Sequence, residues 1–234
     1  MSYIGNNEIG KMWLGNIEID EAYLGSTLVY ERVPDPSEYV QSGLVMHLDG
    51  IDKGQTSGRW ESLVGSTYYT LTSASTSETK SVLMNGEGCI TATNGTNTSS
   101  AGTIEVCAHY FTSGSGIIIH GAATNRLCFT VASNGYSFFN SGASNTWGVT
   151  KVPLFTCSMN GSRCMINGIT GGTLITNTWG NVSDTIGGRG SGTNRYYANV
   201  RIYSIRKYNR VLTEQEMLHN QRIDNKRFGL GLTI

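Results

Sequence analysis

Residues 196–221, YYANVRIYSIRKYNRVLTEQEMLHNQ, constrain the fold more than any other stretch, because a strand, a corner and a helix start follow one another there. Ala198, Val200 and Ile202 alternate with Asn199, Arg201 and Tyr203, which is the period of a half-buried strand. The alternation breaks near Ser204, which puts the strand's end close by. Thr213 and Glu216 then have the spacing of a capping box, in which hydroxyl and carboxylate satisfy amides left without partners in a helix's first turn. A final strand therefore passes into one short C-terminal helix.

A chain of 234 residues suffices for one large β-sandwich with a small appendage. Thirty glycines, and a surface made polar by Ser, Thr and Asn rather than by the 15% of charged residues, favour an all-β protein with many tight turns. Strand-like runs recur at 44–49, 68–72, 81–84, 89–93, 103–111, 116–120, 127–132, 136–139, 152–159, 163–166, 184–187 and 198–203. Such even spacing predicts a sandwich or jelly roll. Asn-Gly at Asn85, Asn94, Asn134, Asn160 and Asn167 marks turns, with Asn160-Gly161 the clearest hairpin signal and 94–102 a polar loop.

Three blocks carry a family resemblance. IRKYNRVLTEQEMLHN at 205–220 resembles the closing signature of laminin-G-like, concanavalin A-like jelly-roll domains, where a final strand is followed by a short helix. GLVMHLDG at 43–50 resembles that family's first strand, and RCMING at 163–168 its internal strand ending in Asn-Gly. Lys207 departs from the pattern, standing where the family carries an apolar residue. The resemblance spans residues 42 to about 225 and implies a concanavalin A-like (LamG-like) β-sandwich jelly roll. Such domains occur in secreted lectins and hydrolases, and in fibre and appendage proteins of tailed bacteriophages, crAss-like phages included.

The N-terminus adds an internal repeat: Tyr3-Ile4-Gly5, Trp13-Leu14-Gly15 and Tyr23-Leu24-Gly25 recur at a spacing of ten. After each pair, Gly followed by Asn6, Asn16 or Ser26 supplies the residues a hairpin turn needs. So short a module cannot bury a core of its own and must pack on something. Pro34-Asp35-Pro36-Ser37 reads as a stiff, turn-prone break. The expected organisation is a threefold β-repeat module at 1–33 for attachment or oligomerisation, a linker at 34–41, the sandwich at 42–212, and a helix and tail packing on it at 213–234.

Charge and motifs narrow the function. A formal net charge of +0 without a Lys/Arg run leaves no footprint for nucleic acid, and no stretch is long and apolar enough for a membrane span or signal peptide. Cys89, Cys107, Cys128, Cys157 and Cys164 are odd in number and lack CxxC spacing, which reads as buried free thiols made in the cytoplasm. His47, His109, His120 and His219 are scattered without zinc-ligand spacing. Asp49 with Asp52 could supply oxygens to a calcium ion, although two carboxylates near a turn are more often solvated. The Gly-rich run 187–192 lacks the ending of a phosphate loop and reads as a flexible loop. Glu18-Ile19-Asp20-Glu21 resembles part of a glucanase strand, but its last carboxylate is replaced by Tyr23 and the repeat accounts for it. No catalytic residues, and no enzymatic activity, are expected.

Aromatic residues remain as candidates. Asn-Thr-Trp-Gly occurs twice, at Trp147 and Trp179, in apparent loops, and Tyr196-Tyr197 follows the Gly-rich run. A sugar offers an apolar C–H face and a rim of hydroxyls, so an aromatic platform beside Asn suits it. The alternative is that both Trp side chains cap the core. Taken with the resemblance, these features predict a bacteriophage virion protein, a head or tail fibre or appendage assembled in the host cytoplasm. Tyr3, Ile4, Trp13, Leu14, Tyr23 and Leu24 would attach it to other virion proteins or to sister copies, a trimer being favoured, while the jelly roll engages glycans. A stand-alone lectin or glycan-active enzyme on the same fold is the alternative.

Overall fold

The computed structural model of the chain describes residues 3–4, 7–8, 12–93, 102–111, 116–120, 128–132, 135–140, 143–147, 152–160, 163–171, 185–191 and 194–234. The strand Asn199–Tyr208 organises it, pairing along its whole length with Thr103–Tyr110 and on its other edge with Val82–Asn85 and then Leu44–Asp49. Around it an eight-stranded sheet runs from Ser75–Ser77 to Ile169–Gly171. A ten-stranded sheet, from Ala143–Trp147 to Arg59–Glu61, packs against it. The two inner faces meet in one core: Met46, Val106, Phe155 and Ile202 come from the first sheet, Trp60, Tyr69, Ile119 and Ile186 from the second. Each such side chain contributes roughly 1.5–3 kcal/mol through burial. Trp60 also donates its indole N–H to the Asp49 carbonyl, tying the sheets together.

The break in alternation near Ser204 is not a strand end. The strand continues to Tyr208, with Ser204 opposite Cys107 and Ile202 opposite Ala108, so Tyr203 is the extra residue of a β-bulge. A one-residue insertion exchanges faces. Ile205 therefore enters the core, while Ser204, Arg206 and Tyr208 turn outward, onto the C-terminal helix. Lys207 is buried in the same run.

That helix, Glu214–Phe228, has the expected capping box at Thr213 and Glu216, and ends at Gly229 in the left-handed conformation, φ 65°. It rests on the sheet's outer face through a polar layer. Arg206 bonds Asp224 through both terminal nitrogens, each at 2.7 Å, and Glu105 at 2.9 Å. Thr156, Ser204 and Tyr39 donate to Asp224, Asn220 and Ser158 donate to Glu105, and Gln221 donates to Ser158. Burial pushes the Glu105 carboxyl up, against the opposing pull of Arg206.

The segment expected as a linker runs along this helix. Pro34 accepts from Arg227, Tyr39 is buried and donates to Asp224, and the Val40 amide donates to Asn220. Arg32 bridges Asp20 and Glu38 just before it. Of the Asn-Gly turns, Asn167-Gly168 is a two-residue hairpin with both φ positive, 48° and 76°, as that dipeptide favours. The N-terminal repeat folds into three hairpins, each a separate two-stranded sheet: Tyr3–Ile4 with Asn7–Glu8, Trp13–Leu14 with Ile17–Glu18, and Glu21–Leu24 with Thr27–Glu31.

Candidate functional site

Where Asn199–Tyr208 leaves the helix-covered region, its outward side chains meet those of Thr103–Tyr110. Along the latter, Ile104, Val106, Ala108 and Tyr110 fill the core, so His109 and then Phe111 fall on the outer face. The Phe111 amide donates to the Asn199 carbonyl at 3.1 Å, fixing the backbone just beyond the paired region. The rings of His109 and Phe111 lie 4.5 Å apart, and the Arg201 guanidinium sits 5.2 Å from the Phe111 ring centre. Glu78 holds that guanidinium through two bonds, at 2.6 and 3.0 Å. Hydrogen bonding from Arg201 keeps the Glu78 carboxyl below its ordinary range, and partial burial followed by the Arg201 charge lowers the His109 imidazole. Phe111 nevertheless remains 43% exposed. A large aromatic ring is thus held open to solvent by a braced cation.

Tyr196 and Tyr197 lie in the strand Asn194–Tyr197 of the other sheet, just before Asn199 in sequence. The Gly-rich run expected as a flexible loop is in part the strand Gly188–Ser191, paired with Asn194–Tyr197. Two of its glycines sit in close-packed positions: a Cβ on Gly187 would stand 2.4 Å from Met84 Cε, and one on Gly188 2.4 Å from Tyr197 Cδ1. Ala198 then carries the chain from one sheet to the other, so Tyr196 and Tyr197 lead within three residues to Asn199, the backbone partner of Phe111. Tyr196 is 50% exposed and Tyr197 half-buried. The cluster combines an exposed ring, a guanidinium and an imidazole, a set that can stack on a ring's apolar face and hydrogen-bond its polar rim, and Tyr196 adds a second exposed ring three residues before Asn199.

The other expected residues fare differently. Trp147 ends the strand Ala143–Trp147, opposite Tyr136, and is not in a loop; Trp179 lies outside the described residues. Asp49, the calcium candidate, is engaged by donors from within the chain. Its Oδ1 accepts from the amides of Ile51 and Asp52 and from Arg227, and its Oδ2 accepts from Arg227, while Asp52 bonds the same guanidinium at 2.7 Å. Burial alone would raise the Asp49 carboxyl, but Arg227 holds it below its ordinary range. Among the described residues no group of His, Cys, Asp or Glu is placed to hold a metal. In the N-terminal hairpins Trp13, Leu14, Tyr23 and Leu24 are exposed, and of Tyr3 and Ile4 the backbone pairing is described.

The sequence reading missed Phe111, Arg201 and Glu78 and weighed His109 only as a zinc ligand. The signal was present in the alternation that places His109 and Phe111 opposite to Ala108 and Tyr110. Glu78 carried none, since it comes from a turn 123 positions from Arg201.

No family model matches the chain, and no curated protein sequence matches it. Solved structures share its fold. A Trypanosoma rangeli sialidase in complex with sialic acid is similar at a TM-score of 0.58 and 13% identity, over 88% of this chain and 36% of that one. The ligand binding domain of botulinum neurotoxin serotype D in complex with N-acetylneuraminic acid is similar at 0.57 and 8%, over 77% of this chain and 50% of that one. The chain thus spans about a third of the sialidase and half of the toxin chain. At these identities the likeness shows the fold, a lectin-like β-sandwich jelly roll with one short helix. It also corrects the expectation that the chain is not an enzyme: that fold is shared with chains of sialidases, and it no longer argues against an activity.

Proposed function

We propose that the chain is a carbohydrate-binding β-sandwich module, with the ligand held at the corner of Phe111, His109, Arg201 and Tyr196. The observation that carries this reading is the Phe111 ring, 43% exposed and braced by the Arg201–Glu78 pair. A pyranose laid on that ring loses water from its apolar face while its hydroxyls reach the surrounding donors. Sialic acid in the sialidase and toxin-domain structures supports including acidic sugars in the search. The test is a glycan array probed with the full chain and with Phe111→Ala and Tyr196→Ala. Both positions are open enough for the fold to survive, and each variant is expected to weaken binding at least about tenfold, ~1.4 kcal/mol. Undiminished binding by Phe111→Ala would place the site elsewhere, and an array without signal would sink the reading.

A narrower reading sets this module on a bacteriophage particle, as a head or tail fibre or appendage. It is favoured by the sequence resemblance and by the exposed N-terminal hairpins, which offer a surface for a larger assembly. The sialidase and toxin structures are not phage proteins, so this context stands on those two features alone. Immunogold labelling of particles from an expressing phage would test it, and unlabelled particles would refute it.

A further inference from the structure

Arg201, the cation placed against the Phe111 ring, is already paired. Glu78 binds its Nε and Nη2 through one carboxylate oxygen each, at 2.6 and 3.0 Å. The Tyr203 hydroxyl accepts a further bond from the same guanidinium. Glu78 is itself fixed in a tight turn: its amide donates to the Ser81 carbonyl at 2.9 Å, Ser81 Oγ donates to its carboxylate, and Lys53 Nζ donates to its carbonyl. The bonds from Arg201 and Ser81 favour the charged form, so this carboxylate stays ionised at neutral pH. Two neighbouring cations are engaged as well, since Lys53 also donates to the Gly50 carbonyl and Lys80 donates to that of Phe228. Partial burial and then the Arg201 charge keep His109 below its ordinary range, which leaves it uncharged near neutral pH.

We propose that Glu78 makes the Phe111 site selective for uncharged sugars and turns acidic ones away. This rests on the sugar site proposed above and adds its charge preference. A sugar carboxylate is bound best by a free fork of two parallel N–H groups. At Arg201 the fork of Nε and Nη2 is filled. A second carboxylate at that guanidinium would also stand near Glu78, the like-charge arrangement by which a site rejects a wrong partner. A hydroxyl brings no charge and needs a single donor or acceptor. The remaining N–H groups of Arg201 and the His109 imidazole supply such partners beside the ring. Glu78 thus acts through Arg201 and through its own charge, as a positioning residue that sets specificity. The sialic acid bound in the sialidase and toxin-domain structures is therefore not the expected ligand here, although the fold is shared.

A glycan array carrying neutral sugars, and acidic sugars both as free acids and as their methyl esters, reads the charge apart from the shape. The full chain is expected to bind neutral sugars and esters at least about tenfold tighter than the free acids. In Glu78→Gln, which keeps the shape of the side chain and removes its charge, the preference for ester over acid should fall at least about tenfold. That ratio is the readout, because a displaced Arg201 would weaken both forms alike. Acids bound as tightly as their esters by the wild-type chain would overturn the exclusion while leaving the sugar site standing. Esters as silent as their acids, or an unchanged ratio in Glu78→Gln, would overturn the role of Glu78. An array silent for every sugar would overturn the sugar site, and this inference with it.

Discussion

Arg206 shows how one side chain can hold two elements together. Completely buried, it joins Glu105 on one strand to Asp224 on the helix, and its ring neighbour Tyr39 lies 4.0 Å from the guanidinium. Removing one partner of such a pair strands the others without compensation, which costs about 3–5 kcal/mol. Arg206→Met should therefore lower the unfolding free energy by that amount in urea titrations, and a loss below about 1 kcal/mol would mean the network does not act as a unit. His47 lies in the same layer, facing Tyr39, Asp49, Arg206 and Arg227, with its Nε2 lacking a hydrogen-bond partner and 3.6 Å from Asp49. Burial and then the Arg206 charge hold its imidazole down to about 3, whereas the unfolded chain titrates near 6.5. Between those values the unfolded state binds the extra proton, so this residue's contribution to stability is lost as pH falls from about 6.5 towards 3, at up to ~1.4 kcal/mol per pH unit. Glu105, raised by burial, works in the opposite sense and remains in any His47 variant. His47→Phe should flatten the slope of stability between pH 6 and 5 by nearly one proton, and equal slopes in both proteins would refute the assignment.

Among the elements, the C-terminal helix and the strap at 34–41 depend on each other. The capping box was legible because its two residues are local in sequence. The strap was not: Pro34 and Pro36 carry the marks of a linker, and the partners of Tyr39 and Val40 are 185 and 180 positions away. The bulge at Tyr203 escaped notice for a similar reason. A break in alternation looks the same whether a strand stops or gains a residue, and only the pairing with Cys107 and Ala108 distinguishes them. A chain beginning at Val33 loses the Arg32–Glu38 pair but keeps the contacts of Pro34, Tyr39 and Val40, while one beginning at Ser42 loses Tyr39 from the polar layer. The shorter chain should be less stable by at least about 3 kcal/mol, the cost of deleting a buried aromatic and leaving its acceptor bare. Equal melting of the two would show the strap to be dispensable.

At the scale of the molecule, the strand pattern and turn dipeptides foretold the sandwich well, since many short alternating runs admit few other solutions. The cluster around Phe111 was not legible as a site. Tyr196 and Tyr197 stood out as a pair in the sequence, whereas Phe111, Arg201 and Glu78 come from three separate segments that only the fold brings together. The most direct test is amide shift mapping by NMR of the chain beginning at Val33, titrated with free monosaccharides that include N-acetylneuraminic acid. Shifts centred on His109, Phe111, Asn199 and Arg201, and absent in Phe111→Ala, are expected. Shifts confined to other surfaces, or none across the panel, would contradict the proposed sugar site.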